Sequence, residues 1–195
     1  MNRIFGLSAV AFKEWSLICD ALAAGIQSVI LRKGGIAEGQ RGFYFKHDRF
    51  WLYPTQFHTQ KALISSASMN QVAASRYQET SPDIGEPILL DLFATIERKK
   101  KIDHWETVKK LENFHIWNEE IIRERFNYEK NSSLWFAFIR VYRTENPLFL
   151  QMNRSFQGCR SWIKLPDEAE RDRAFHPILS DEKFAKLLTA IEQIL

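Results

Sequence analysis

Apolar residues recur every three or four positions at both ends of the chain, which predicts an amphipathic helix at each end. The first predicted helix follows a candidate cap at Ser8, stops before Gly25, and has its apolar positions at Trp15, Ile18, Cys19 and Leu22. The last predicted helix begins after a cap at Ser180 and carries an apolar stripe formed by Phe184, Leu187, Leu188, Ile191 and Leu195.

Three shorter helices are predicted between these two. Thr55 is placed to cap a helix that runs to Val72, and a second helix is expected over residues 105–111. Asn118 predicts the start of a third helix, because Glu119 and Glu120 follow it and carboxylates stabilise the positive end of a helix.

Runs of aromatic and β-branched residues predict the strands. Buried or long strands are expected over residues 29–31, 88–102 and 134–142, and edge strands over 148–150 and 161–165. A hairpin is expected with arms at 43–45 and 50–53. Pro54 is expected to end that part of the sheet, because proline has no N–H to donate to a neighbouring strand.

The order of these elements predicts an α+β fold. Strands that follow one another in hairpin-like order, interrupted by short helices, favour a mixed, largely antiparallel, curved sheet that can close toward a barrel, with flanking helices. A length of 195 residues fits a single domain over residues 1–195, with 180–195 as a C-terminal helix packed on it. No internal repeat is evident.

Composition narrows the functional classes. The 45% hydrophobic content argues against disorder, and a formal net charge of +3 allows an anionic partner only through a local patch. Cys19 and Cys159 are too few and too far apart for a disulfide framework or a zinc site, which fits a reducing compartment. Without a signal-peptide pattern or an apolar run long enough to span a membrane, the chain is predicted to be soluble and cytoplasmic.

Three segments set cationic side chains and aromatic rings beside glycine or proline, which suits a recognition surface better than a core. They are residues 31–36, with the sequence LRKGGI, residues 50–58, with the sequence FWLYPTQFH, and residues 158–162, with the sequence GCRSW.

Together with Lys13-Glu14-Trp15 and the short motifs at 115–117, 125–126 and 140–142, these segments resemble a bacterial family known as domain of unknown function 1802. The resemblance covers nearly the whole chain. Some members of that family are fused to restriction-endonuclease domains of the Mrr type. The resemblance therefore implies a nucleic-acid context, with a restriction-type nuclease as a partner and an accessory role in restriction or defence, by association and not by any motif of this chain.

The Gly34-Gly35 pair follows a predicted strand and can expose backbone N–H groups to a phosphate, with Arg32 and Lys33 beside it. The alternative is an ordinary turn with two solvated cations. His58 can donate to a phosphate or act as a base, and its alternative role is that of a structural histidine packed under the hairpin.

Arg125 can reach a phosphate with two parallel hydrogen bonds, or it can form an ion pair with Glu120, Glu124 or Glu129. Arg160 and Trp162 are expected to alternate on one face of a strand, so that a guanidinium and an indole project together as in single-strand binding sites. The alternative is an edge tryptophan covered by the arginine in a cation–π contact.

The strongest catalytic hypothesis is a nuclease that depends on Mg²⁺. Pro82-Asp83 followed by Glu97-Arg98-Lys99 has the form of the PD-(D/E)xK arrangement. Asp83 and Glu97 would hold the metal ion, with Glu14 as a further ligand, and Lys99 would orient the attacking water. Short patterns of this kind also arise by chance, and a basic run such as Arg98 to Lys101 is usually a solvated edge.

The sequence as a whole favours a domain that binds or senses nucleic acid, with no catalytic residue, no cofactor and no metal. The predicted binding residues are Arg32, Lys33, Gly34, Gly35, His58, Arg125, Arg160 and Trp162. Two alternatives stay open. One is the Mg²⁺-dependent nuclease on Asp83, Glu97 and Lys99, and the other is a non-enzymatic module whose partner is a protein.

Overall fold

The structure is a computed structural model that describes the strand Arg3–Ile4 and residues 8–33, 42–56, 64–65, 82–128, 131–171 and 173–195. Three predicted site residues, Gly34, Gly35 and His58, lie outside the described residues. Nearly all of the helix predicted to follow Thr55 lies outside them as well.

The described residues form eight strands and four α-helices. The strands are β1 (Arg3–Ile4), β2 (Val10–Trp15), β3 (Val29–Arg32), β4 (Arg49–Thr55), β5 (Pro87–Ile102), β6 (Leu134–Gln151), β7 (Trp162–Lys164) and β8 (Ala174–Pro177). The helices are α1 (Ser16–Ala23), α2 (Trp105–Lys109), α3 (Glu119–Asn127) and α4 (Asp181–Glu192).

Side-chain caps begin two of these helices as the sequence predicted. The Asn118 Oδ1 atom accepts a hydrogen bond from Ile121 N at 2.9 Å at the start of α3. The Ser180 Oγ atom accepts one from Lys183 N at 3.3 Å at the start of α4. Each cap satisfies a backbone N–H that has no partner within the helix.

All eight strands belong to one sheet. Seven follow the order β1-β8-β6-β5-β4-β2-β7, and β3 pairs with the same edge of β6 as β8 does, at a different part of that strand. Every pairing is antiparallel except that of β2 with β4. The predicted α+β fold with a mixed, largely antiparallel sheet and flanking helices is confirmed. The sheet is not closed into a barrel: within the described residues, no ladder joins β7 to β3 or β1.

The long β5–β6 pair gives the sheet its curvature. Its register shifts between Leu90 and Leu92 and again between Ile96 and Arg98. Such irregularities bend a strand and increase its twist. As a result, one edge of β6 pairs with β3 near Phe138 and with β8 near Arg143.

Two apolar cores lie on the two sides of the sheet, because neighbouring residues of a strand point to opposite faces. All four helices pack on one side, in a core that includes Phe12, Ile18, Phe50, Leu52, Phe126 and Phe184. The opposite core includes Ala11, Trp51, Tyr53, Leu148 and Phe175. β2 and β4 therefore contribute side chains to both cores.

Two local predictions near the N-terminus are wrong. Ser8 does not cap the first helix, because residues 10–15 form β2 and Trp15 is the residue that precedes α1. Trp15 fits both the alternation of the strand and the spacing of the helix, so the apolar pattern alone cannot separate them.

The predicted hairpin of residues 43–53 is also wrong, since residues 43–48 are not part of any strand. β4 pairs instead with β2, which lies about forty residues earlier, and with β5. Pro54 does not end the strand, because it is paired opposite Glu14 in the parallel ladder.

No helix among the described residues is both long enough and apolar enough to cross a membrane.

Candidate functional site

One edge of β2 pairs with β4 over nearly its whole length, but the opposite edge lies beside a loop in the C-terminal half of the strand. β7 pairs only with Val10–Phe12, so the next three residues of β2 face the loop of residues 158–161. The Lys13 N–H donates to the carbonyl of Ser161 at 2.8 Å, which holds the loop against the strand. Alternation along the strand directs Lys13 and Glu14 to opposite faces of the sheet.

Glu14 is a buried carboxylate, with only 2% of its surface exposed. Its Oε1 atom accepts a hydrogen bond from Trp15 N at 2.8 Å and lies 3.9 Å from Arg32 Nη1. Arg32 also donates from Nη2 to Ser161 Oγ at 3.2 Å, and its side chain is 22% exposed. Arg32 therefore joins β3 to the loop before β7 while one part of it stays open to solvent.

Arg125 of α3 lies against two indole rings. Its Cζ atom is 4.7 Å from the ring centroid of Trp15 and 4.2 Å from that of Trp117, and the two rings meet edge to face. Its Nη1 atom is buried and has no hydrogen-bond partner among the described residues. Burial lowers the pKa of Arg125 to about 10, the charge of Glu14 acts against this, and Arg32 adds to it.

Neither Glu120 nor Glu124 forms the alternative ion pair with Arg125, and Glu129, the third candidate, lies outside the described residues. The carboxylate that acts on Arg125 is Glu14 of β2.

Lys13 is a buried amine on the other face of β2, with 7% of its surface exposed. Its Nζ atom donates to the carbonyl of Gly158 at 3.0 Å and lies 5.8 Å from the ring centroid of Tyr53. Burial lowers the pKa of Lys13, the thiol of Cys159 acts against this, and the nearby positive charge of Arg160 adds to it. No carboxylate of a described residue takes part in these interactions.

These contacts place two pairs of cations around the C-terminal part of β2, with Arg32 near Arg125 and Lys13 near Arg160. We call these four residues the cationic cluster. Arg160 is exposed and forms no ion pair or hydrogen bond with a described residue. Glu14 is the carboxylate in these interactions, and it acts on Arg32 and Arg125 but not on Lys13. The cluster therefore carries a local excess of positive charge.

Lys33, also predicted to bind, has a structural position. Its Nζ atom donates to the carbonyl of Phe126 at 3.3 Å and to that of Asn131 at 2.6 Å. Phe126 belongs to the last turn of α3, where a cation stabilises the unsatisfied carbonyls. Lys33 thus fixes the helix that carries Arg125.

Trp162 does not offer a face to a ligand, which corrects its predicted role. It is 8% exposed and packs against Phe12, Phe50 and His47 at centroid distances of 4.9, 5.2 and 5.0 Å. Arg160 precedes β7, so the two residues do not alternate on one strand. A strand at the edge of a sheet still has one face against the core, and the ring of Trp162 lies on that face.

The three predicted nuclease residues do not converge. Asp83 lies in a turn before β5, whereas Glu97 and Lys99 lie near the other end of that strand, about 30 Å away at the rise of a strand. The amine of Lys99 contacts Asp48 Oδ1 at 2.6 Å and donates to Phe45 O at 3.0 Å. Over the described ranges, no group of three or more His, Cys, Asp or Glu side chains is arranged to hold a metal ion.

Sequence reasoning missed the centre of this arrangement, formed by Lys13, Glu14 and Trp15. Glu14 was considered only as an extra metal ligand on a helix, and its position in β2 corrects this. A signal for the strand was present in the alternation of Phe12 with Lys13 and of Glu14 with Trp15, but it overlapped with the helical pattern.

Two cavities lie near the cluster. One, of about 420 Å³, shares Lys13 with it and is lined also by Tyr53, Gln56 and Gly158. The other, of about 380 Å³, lies beside the start of α3. Glu112 and Glu119 line that second cavity, and their carboxylates disfavour an anion there.

Known structures resemble this fold only distantly. The crystal structure of ASCH from Zymomonas mobilis shows a TM-score of 0.45 and 14% identity over 92% of this chain and 93% of that one. Two single-residue mutants of the same protein show TM-scores of 0.46 and 0.43, again at 14% identity and over 92% of this chain, with 96% and 94% of those chains covered. A likeness at this level says nothing about what this chain binds.

No functionally curated protein matches the sequence. The family predicted from the short motifs, in contrast, is confirmed. Its sequence profile matches residues 11–190, which include every residue of the cationic cluster and of the larger cavity. The chain belongs to the family described as domain of unknown function (DUF1802).

Proposed function

We propose that the cationic cluster binds the phosphate backbone of a nucleic acid. The observation that carries this proposal is that cations gather on both faces of β2 near its C-terminal end, with Arg32 and Arg125 beside Glu14 and Lys13 beside Arg160, in a chain whose net charge is only +3. A polymer with a negative charge on every phosphate is a ligand that several neighbouring cations can contact at once.

The members of the cluster differ in what they can contact. Arg160 is exposed and Arg32 is partly exposed, so these two guanidiniums are placed to reach phosphate oxygens directly. Arg125 is held against two indole rings. Its positive charge adds to the electrostatic attraction of an anion without requiring the side chain to move. Lys13 is largely buried and lines the cavity of about 420 Å³.

The narrower role predicted from the family resemblance belongs to the same proposal. A domain that binds the polymer without cutting it would serve as an accessory to a restriction-type nuclease in the cytoplasm. The chain alone is then expected to bind nucleic acid and to leave it intact in the presence of Mg²⁺ or Mn²⁺. Cleavage by the wild-type chain that Glu97→Gln abolishes would support the nuclease instead.

The test is a salt titration of binding to single- and double-stranded DNA and RNA. If the four cations all contribute, the logarithm of the association constant falls with the logarithm of salt concentration with a slope of about −3 to −4. Arg160→Ala is expected to weaken binding and to make the slope less steep by about one unit.

Arg171→Ala is the matched control, because Arg171 is an exposed arginine whose ion-pair partner is Glu168, outside the cluster. It removes the same charge from the protein and is expected to leave the slope unchanged. The absence of binding at low salt would rule out the proposal, and binding only to acidic polypeptides would point to a protein partner.

A further inference from the structure

The 420 Å³ cavity beside the cationic cluster has the size of a small-molecule site, for which volumes of about 300–1,000 Å³ are usual. It opens between the end of β4, the turn before β5 and the loop before β7. Its lining includes Lys13, Tyr53, Gln56, Asp83, Met152 and Phe156.

The inner part of the cavity is apolar and aromatic. The rings of Tyr53 and Phe156 lie 6.0 Å apart, and Met152 packs beside them. The hydroxyl of Tyr53 is already used, since it lies 3.4 Å from the sulfur of Met152, and burial raises its pKa to about 12. Tyr53 is therefore a neutral ring that offers apolar surface to a flat ligand.

Two polar groups on the same lining have hydrogen-bonding atoms that the described residues do not occupy. Gln56 Oε1 accepts from Ser16 Oγ at 3.1 Å, which fixes the amide group. Its Nε2 atom donates to no described residue. Asp83 donates its backbone N–H to Glu86 at 2.8 Å, and its exposed carboxylate contacts no described residue. The cavity thus offers one oriented donor and one acceptor, together with the cation of Lys13.

The loop of residues 158–160 forms the boundary between the cavity and the exposed part of the cluster. Gly158 has φ of +83°, a conformation that other residues adopt with strain, and its carbonyl holds the amine of Lys13. Arg160 follows two residues later and faces solvent. Lys13 therefore belongs both to the cavity and to the proposed phosphate-binding surface.

We propose that this cavity receives the base of one unpaired nucleotide whose phosphate lies on the cationic cluster. This inference rests on the proposed function and adds to it the part of the ligand that is recognised. A base is flat and apolar on its faces and carries donors and acceptors on its edge, which matches the apolar interior and the polar groups of Gln56 and Asp83. The base must be unpaired, because pairing occupies that edge.

The test compares two single strands of equal length, one with normal bases and one with abasic sites along its central part. Both carry the same phosphates, so binding to the backbone alone would give equal affinities. The wild-type protein is expected to bind the strand with bases about 5- to 100-fold more tightly. Binding of free mononucleotides is measured as a second arm. It shows whether the cavity takes a nucleotide free in solution or only a nucleotide that is part of a strand.

Two variants probe the cavity itself. Gln56→Ala and Asp83→Asn are each expected to reduce the preference for bases several-fold. The preference is the ratio of the affinities of one variant for the two strands, so it also corrects for the negative charge that Asp83→Asn removes. Asp83 lies in an exposed turn, so its substitution tests the proposal even if Gln56→Ala does not fold. Gln151→Ala is the matched control, since Gln151 is an exposed glutamine that does not line the cavity.

The two proposals fail in different ways. Equal affinity for the two strands would overturn the base-binding cavity and leave the phosphate-binding cluster intact. Binding of mononucleotides that Gln56→Ala abolishes, without binding of either strand, would keep the cavity and overturn the polymer as its ligand. No binding of strands or mononucleotides would overturn both.

Discussion

Two adjacent residues of β2 carry buried charges on opposite faces of the sheet, and these charges have different kinds of partner. On one face the Glu14 carboxylate lies near Arg32 and Arg125, and it bonds to the backbone of Trp15. On the other face the Lys13 amine bonds to the carbonyl of Gly158, and its neighbouring charge is that of another cation. The Glu14 carboxylate has arginines as counter-charges, whereas the Lys13 amine forms no ion pair with a carboxylate of a described residue.

Under the proposed function, this difference indicates how much a bound phosphate stabilises the charges on each face. A buried charge that lacks a partner is costly, and an incoming anion lowers that cost. On the Glu14 face, Arg32 and Arg125 already share the carboxylate of Glu14, so under the proposed function a bound phosphate stabilises these cations less. The Lys13 face, with the cavity beside it, gains most from a bound phosphate.

The first prediction tests whether the Glu14 face is a packed core. Trp162→Ala is expected to lower the free energy of unfolding by about 4 kcal/mol, because it removes a buried ring that contacts Phe12 and Phe50. Urea denaturation measures the change. Trp135→Ala is the control, because Trp135 is only half-buried and is expected to cost clearly less. A stable Trp162→Ala protein that has lost only its binding to single strands would show that this ring is a binding residue.

The second prediction compares the two charges directly. Glu14→Gln is expected to lower the free energy of unfolding by about 3 kcal/mol, since it leaves Arg32 and Arg125 without their carboxylate. Lys13→Met keeps the length of the side chain and removes an uncompensated charge, so a change below about 1 kcal/mol is expected. Thermal or urea unfolding of both variants measures these changes in unfolding free energy. A larger loss for Lys13→Met than for Glu14→Gln would contradict the comparison of the two faces.

The third prediction concerns the protonation of His115, which lies near Arg125 on the Glu14 face. Burial and the charge of Arg125 lower the pKa of His115 from 6.5 to about 4. Because the unfolded chain takes up this proton at higher pH than the folded chain does, the contribution to stability is complete above pH 6.5 and is lost as the pH falls toward 4. The loss at pH 5 is expected to be about 2 kcal/mol.

His115→Gln removes that titration, so the difference in unfolding free energy between pH 7 and pH 5 is expected to shrink by the same amount. His104→Gln serves as the control, because His104 is exposed and lies in the same part of the chain. Equal pH dependence of the wild-type and His115→Gln proteins would show that His115 is not held neutral by its surroundings.

Local patterns in the sequence were sufficient for several elements. The caps at Asn118 and Ser180, the long strand β5, the first half of β6 and the last helix follow from signals within a few residues, and the family follows from short motifs spread over the chain. The edge strand predicted over 148–150 is instead the end of β6. Arg32, Arg125 and Arg160 were predicted as binding residues for their charge, and the structure places Arg32 near Arg125 and Arg160 near Lys13. Whether they bind stays a prediction.

The tertiary structure decided which residues meet. The parallel pairing of β2 with β4 joins segments about forty residues apart, and no local pattern specifies such a partner. That pairing turns Lys13 and Glu14 to opposite faces, and the packing of β7 against Phe12 buries Trp162. Charge and helix capping are properties of single residues and their neighbours. Burial and the compensation of charge depend on contacts between distant segments, and therefore only the folded chain could separate a ring in the core from a cation at the surface.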